Sequence, residues 1–392
     1  MWKINMSSMF DKEVNRRGTG SMKWNVGEHE LPMWVADMDF ETAPAVTKAI
    51  MDRAVQGIYG YTEVSEEWYL AYQNWWQDRH HFPIEKDWLI FCTGVVPAIS
   101  SIVRKMTTVA EKIVVMTPCY NIFFNSIVNN GRNVLESRLH YEDGVYSIDQ
   151  EDLEEKLADP QTSMLILCNP HNPVGRVWTK EELLRLGDIC ERYGVIVVSD
   201  EIHADFVFEG SHQVLAGLKE SYRKFVVTCT APSKTFNIAS MMISNIFIPN
   251  RELKAKFRAQ LDAAGISQLN VLGLVACEAA YVHGEEWYEA MHSYVADNIA
   301  FTKEYVETQL PGVSMVDHEG TYLVWLDFRK TGLSVDELEN LIVHRAKLWL
   351  DSGKIFGDCG KGFQRINVAC PRATLQEALD RIKTAMKESK AQ

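Results

Sequence analysis

Through the middle of the chain, short runs of β-branched and aliphatic residues alternate with amphipathic stretches. Lys112-Ile113-Val114-Val115-Met116, Met164-Leu165-Ile166-Leu167, Val195-Ile196-Val197-Val198, Phe225-Val226-Val227 and residues 243–248 are near-continuous apolar runs of strand length. A run of that kind, without alternation, suits a strand covered on both faces. Between the second and third lies a helical pattern over residues 179–193, opened by Thr179-x-x-Glu182, a capping box. Strands joined by helical crossovers pair in parallel. The pattern therefore predicts an α/β fold with a mainly parallel sheet and helices on both sides.

After about residue 284 the pattern changes. A long helical stretch over residues 287–310 stops at Pro311-Gly312. A strand (321–328), a helix opened by Ser334-x-x-Glu337, a strand (364–368) and a final helix follow. These elements read as a smaller α+β layer, and the irregular first fifty residues are expected to pack with it. The predicted division is an N-terminal segment (1–50), a large domain (51–284) and a small C-terminal domain (285–392).

Composition narrows the function. Hydrophobic residues make up 46% of the 392, with 11 Trp, 14 Tyr and 16 Phe, enough for a sizeable core. A net charge of −13 argues against a general nucleic-acid or anionic-membrane surface, but leaves room for a local cationic pocket. The cysteines at 92, 119, 168, 190, 229, 277, 359 and 370 form no Cys-x-x-Cys and read as buried reduced thiols. The first twenty residues lack a continuous apolar stretch, and no 18-residue apolar run occurs. Neither a signal peptide nor a membrane span is expected, and the chain reads as cytoplasmic. His80-His81 has no partners at metal-ligand spacing and reads as surface, so no metal is expected. There is no Gly-x-Gly-x-x-Gly, and residues 357–362 lack the Ser/Thr and the spacing of a P-loop.

Three polar segments each follow a strand-like run: Asn169-Pro170-His171-Asn172-Pro173-Val174-Gly175, Ser199-Asp200-Glu201-Ile202-His203 and Thr230-Ala231-Pro232-Ser233-Lys234-Thr235-Phe236-Asn237. They place an amide, a carboxylate and an amine at strand ends of one sheet. Those are the groups needed to hold pyridoxal phosphate (PLP) and use it as an electron sink. A lysine in a loop is ordinarily a solvated surface group. For a Schiff base, Lys234 must be partly desolvated so that its amine is available near neutral pH. Asp200 suits an ion pair to a protonated ring nitrogen, against the simpler role of capping the next helix. Asn172, in a rigid turn between two prolines, suits donation to the ring's phenolic oxygen, against ordinary turn chemistry. His203 is a candidate for the same oxygen. Thr93-Gly94-Val95-Val96-Pro97 reads as a helix start, with Thr93 as cap and Pro97 in the first turn. Free N–H groups at Val95 and Val96 would bind a phosphate there, with a hydroxyl from Ser233. Tyr120 is either a ring stacked on the cofactor or core. Arg365, in an apolar strand, needs an anion, either a substrate carboxylate or a structural acid; Arg372 is the second candidate.

These residues resemble the fold-type I PLP enzymes of aminotransferase class I/II, and more narrowly the cystalysin-like and bacterial cystathionine β-lyase (C–S β-lyase) subgroup. The resemblance rests on Val35-Ala36-Asp37-Met38-Asp39-Phe40, Tyr59-Gly60-Tyr61-Thr62, Gly94-Val95-Val96-Pro97-Ala98, the three polar segments above, and Arg365-Ile366-Asn367. Together they span essentially the whole chain. The resemblance implies an aspartate-aminotransferase-like fold with a seven-stranded large sheet, and a homodimer in which Tyr61 reaches the phosphate of the partner's cofactor. It also implies Tyr120 as the stacking ring, Arg365 as the carboxylate anchor and Ala36 beside the substrate. Met242 stands where the superfamily often has an arginine, and Ser240 where the subgroup often has glycine. The implied reaction is α,β-elimination of cystathionine, cysteine or related conjugates to pyruvate, ammonia and a thiol. An aminotransferase would use the same lysine, aspartate and asparagine, so spacing does not separate the two. An alternative of another class is a regulatory binding protein that retains the PLP fold.

Overall fold

Seven strands make one sheet, and the way each strand buries alternate residues shows why. In the computed structural model, which describes residues 9–390, Ile113 and Val115 point into one apolar core while Val114 and Met116 point into the other. Met164 and Ile166 separate from Leu165 and Leu167 in the same way. A strand with apolar side chains on both faces must lie between two layers of helices. The strands are β1 (Leu89–Cys92), β2 (Lys112–Thr117), β3 (Asn133–Arg138), β4 (Thr162–Cys168), β5 (Ile196–Asp200), β6 (Val226–Thr230) and β7 (Ser244–Phe247), in the order β1-β7-β6-β5-β4-β2-β3. All pairs are parallel except those of β7, which runs antiparallel to both β6 and β1. The helix Lys180–Tyr193 carries the predicted capping box, with Glu182 N donating to Thr179 Oγ1 and Thr179 N to Glu182.

The helix Glu285–Gln309 leads into a four-stranded antiparallel sheet. Its strands are Ser314–Met315, Leu323–Asp327, Phe363–Asn367 and Asp351–Ser352, in that spatial order. The final helix, Arg372–Lys390, packs on Glu285–Gln309. Part of the N-terminal segment joins this layer. Leu31–Pro32 pairs in parallel with Leu348–Trp349, and Asn367 N donates to Met33 O at 2.8 Å. Further on, the helix Pro44–Val55 packs instead against Val271–His283.

Two local expectations change. The helix Val95–Met106 is capped by Gly94 and not by Thr93. Gly94 has φ +151°, which side-chain-bearing residues rarely adopt, so the entry into the helix needs the glycine backbone more than a hydroxyl cap. The helix opened by Ser334 forms its capping box but covers only Val335–Glu339 before a π-helical turn, Asn340–Arg345. All eight cysteines are unpaired, and all but Cys359 are buried.

Candidate active site

The C-terminal ends of β4, β5 and β6 lie side by side, with Cys168 opposite Asp200 and Asp200 opposite Cys229 in register. Crevices at such strand ends are where open α/β sheets bind ligands. Here the crevice is a cavity of about 190 Å³ lined by Ala36, Tyr120, Asn172, Asp200, His203, Ser233 and Lys234, and by Gly94, Val95, Val96 and Pro97 at the start of the helix. Cys168 and Ile202 complete it.

Lys234 sits in the single helical turn Pro232–Thr235, which follows β6 directly. Its Nζ donates to Ala36 O at 2.7 Å, and Tyr322 Oη donates to the same carbonyl at 2.8 Å. Asn237 locks this arrangement. At φ +55° it accepts from Met38 N at 3.0 Å and donates to Phe40 O at 2.8 Å, which ties the Val35–Phe40 stretch to the lysine turn. Asn367 Nδ2 donates to Val35 O and Asp37 O at 2.7 and 2.8 Å from the other side. Behind the turn, Thr235 Oγ1 donates to Asp205 Oδ2 at 2.6 Å, and Asp205 Oδ1 is 2.9 Å from His80 Nε2. The His80 side chain is 5% exposed, so the surface reading of His80 does not hold: it braces a buried carboxylate.

Burial sets the proton affinities. It pushes the Lys234 amine down to about 8, against the opposing pull of Asp37. It pushes Asp200 up to about 7, because its carboxylate is buried, with one hydrogen bond from Ile202 N at 3.2 Å and only a partial offset from Lys234. A buried carboxylate so placed calls for a cation. Burial also holds His203 well below the ordinary histidine range, hence neutral, and its Nδ1 has no partner. PLP fits these groups. Asp200 would face the ring nitrogen, and the unused backbone N–H groups of Val95 and Val96, with the Ser233 hydroxyl, would face the phosphate.

Arg365 is buried in the strand Phe363–Asn367 and reaches the site through Asn172, whose Oδ1 accepts from Arg365 Nη1 at 2.9 Å. Arg372 is not brought there. Its Nε donates to Asn298 Oδ1 at 2.7 Å, and its guanidinium lies over the Phe301 ring. Tyr61 is 98% exposed and lines a different, open depression with Tyr59 and Asn270. Ser240 and Met242 are both exposed and lie outside the cavity. Sequence reasoning missed Tyr322 and Asp351, the acid that pairs with Arg365. Both come from the small sheet or its flank, far along the chain from the cavity, and neither sits in a local motif. Among the described residues, no group of three or more His, Cys, Asp or Glu is placed to hold a metal ion, and no helix is long and apolar enough to cross a membrane.

A desolvated lysine and a buried carboxylate at neighbouring ends of a mainly parallel sheet, facing an open helix N-terminus, are the groups that an aspartate-aminotransferase-like PLP site needs. The chain belongs to the aminotransferase class I and II family, which it matches over residues 29–382. It is 43% identical over 384 residues to the cystathionine beta-lyase PatB of Bacillus subtilis, covering 96% of this chain and 99% of that protein. It is 31% identical to Protein MalY of Escherichia coli, with 94% and 96% covered. Among solved structures, PLP-containing cystalysin from Treponema denticola superposes with a TM-score of 0.94 at 37% identity, covering 97% of this chain and 99% of that one.

Proposed function

We propose that Lys234 is both the anchor of the cofactor and the base of a β-elimination at amino acids carrying sulfur on Cβ. The protein is a PLP-dependent carbon–sulfur β-lyase. Bound PLP supplies the electron sink for the charge left at Cα. Asp200 keeps the ring nitrogen protonated through a charge-assisted bond. Asn172 and Tyr120 hold the ring in place, while Val95, Val96 and Ser233 hold the phosphate. His203 stays neutral beside the ring. Arg365 takes the substrate's α-carboxylate and turns the Cα–H toward Lys234, with Ala36 beside the substrate. Lys234 Nζ removes the Cα proton, thiolate leaves from Cβ, and the aminoacrylate that is released takes up one water to give pyruvate and ammonia. Cystathionine and cysteine conjugates are the substrates proposed.

The observation that carries the lyase over the aminotransferase is the 43% identity, end to end, with a cystathionine beta-lyase. The test is the purified holoenzyme with cystathionine and no 2-oxo acid. Pyruvate and thiol should appear together, and Lys234→Ala should lower the rate by at least about 10³-fold. Turnover that requires an added 2-oxo acid would overturn the lyase in favour of transamination.

The working form proposed is a homodimer in which Tyr61 serves the partner's phosphate. Its support is the exposure of Met51, Val55, Ile58, Tyr59, Tyr61, Leu70 and Met242, a large apolar area for one chain to leave in water. The three-part division at residues 50 and 284 is retained as a proposal, supported by the separation of the two sheets along the chain. So is a cytoplasmic location, supported by eight unpaired thiols.

A further inference from the structure

Arg365 does not wait for a ligand with its charge unspent. Its Nη2 donates to Trp34 O at 3.0 Å and to the carboxylate of Asp351, and its Nη1 donates to Asn172. Asp351 and Arg365 are register partners on neighbouring antiparallel strands, so their side chains leave the same face of the small sheet. Arg365 is buried and Asp351 largely so, with side chains 4% and 12% exposed. Burial raises the proton affinity of Asp351, and Arg365 opposes that rise. A guanidinium has five N–H donors. Three are used here, and the buried Nε has no acceptor. An incoming carboxylate therefore shares the guanidinium with a resident one.

The rest of the site adds little positive charge. Among the residues lining the cavity, Lys234 is the one cation, and His203 is neutral. An α-carboxylate can take the remaining donors of Arg365. A second carboxylate on the substrate's side chain would meet no free cation, and Asp351 would repel it in a poorly solvated space.

We infer that Asp351 is a specificity-determining residue: by holding half of Arg365, it limits the site to substrates with one unbalanced carboxylate and turns away dicarboxylic amino acids and 2-oxo acids. Uncharged and ammonium-bearing side chains pass, including those whose distal carboxylate has its own ammonium beside it. The inference rests on the reading of Arg365 as the α-carboxylate anchor, and deepens it.

The test compares L-alanine with L-aspartate, two ligands without a sulfur leaving group, on the holoenzyme. Binding is read from the change in the cofactor's absorbance. The wild type should favour alanine. Asp351→Asn, which keeps an acceptor for Arg365 but removes the charge, should narrow the ratio of the two dissociation constants by about tenfold. Asp351→Glu should keep the wild-type preference. An unchanged ratio in a folded, cofactor-loaded Asp351→Asn overturns the inference. If that variant does not load, the wild type decides alone, since aspartate binding as tightly as alanine is equally fatal. Failure of the lyase reading shows separately, as absence of pyruvate from cystathionine. Failure of the anchor reading shows as unchanged alanine binding in Arg365→Ala.

Discussion

In the proposed site, Asp200 would serve cofactor and fold in opposite directions. Burial lifts its folded-state value from 3.8 to about 7. An acid with a raised folded value binds more protons folded than unfolded between those two points, so its contribution to stability falls as pH rises through that window. Cofactor-free protein should therefore lose stability from about pH 4 to 7 on account of this group. Asp200→Asn should flatten that part of the curve and raise the cofactor-free melting temperature at pH 8, while weakening PLP binding. Thermal melts across pH, with a PLP titration, check both halves; a variant that melts lower at pH 8 contradicts the first. Arg365 gives a second prediction at this scale. Arg365→Ala should raise KM by an amount equivalent to about 2–5 kcal/mol, the usual cost of truncating a buried charge pair. Lysine should rescue poorly, because it lacks the planar fork. Arg372→Ala should leave KM near the wild-type value, since its guanidinium is engaged by Asn298 and Phe301. Steady-state kinetics on the three variants separates these outcomes.

At the scale of the element, the start of the helix Val95–Met106 matters most. Gly94 brings the chain off β1 with φ +151°, and a Cβ there would come within 3.3 Å of Pro97 Cδ. Gly94→Ala should cost about 1–3 kcal/mol through backbone strain, and should weaken PLP binding because the Val95 and Val96 N–H groups move with the turn. Isothermal titration of PLP, beside a melt of the cofactor-free chain, shows whether both fall. The same helix shows how far an element could be read from its residues. Its start was legible from a cap-type residue, Thr93, followed by Pro97 in the first turn. Its cap was not, because Thr93 is a good cap by type and only the observed backbone angle selects Gly94. The strands β1 and β3 were missed for related reasons. One is four residues long, and the other is a partly exposed edge strand with polar residues in it.

On the scale of the molecule, the cavity of one chain lacks the Tyr61 that the dimer proposal assigns to it. Tyr61 of the same chain is 98% exposed and does not line the cavity that holds its own Lys234. Two inactive variants should therefore complement each other. Lys234→Ala and Tyr61→Ala, unfolded and refolded together, should regain activity above either alone, because one site of the mixed dimer would combine an intact lysine with an intact tyrosine. Activity that stays at the level of the separate variants would argue that each chain works from its own residues.

Strand ends carry most of what the sequence by itself determined. Lys234, Asp200 and Asn172 each follow an apolar run and sit in segments with no amphipathic period, so local pattern alone placed them at one edge of a parallel sheet. Val95, Val96 and Ser233 followed from the same reading, since a phosphate site can be built from backbone at a helix start. What only the tertiary structure decided is which distant side chains close over that edge. Tyr322 on Ala36 O, Asn237 and Asn367 on the Val35–Phe40 stretch, and Asp351 on Arg365 are contacts between segments up to hundreds of residues apart. In sequence Arg372 stood only second to Arg365 as an anion's partner; in the fold Arg365 reaches Asn172, while Arg372, at a helix start, reaches Asn298. Periodicity reports the face a residue occupies within its own element, while long-range packing sets what that face meets.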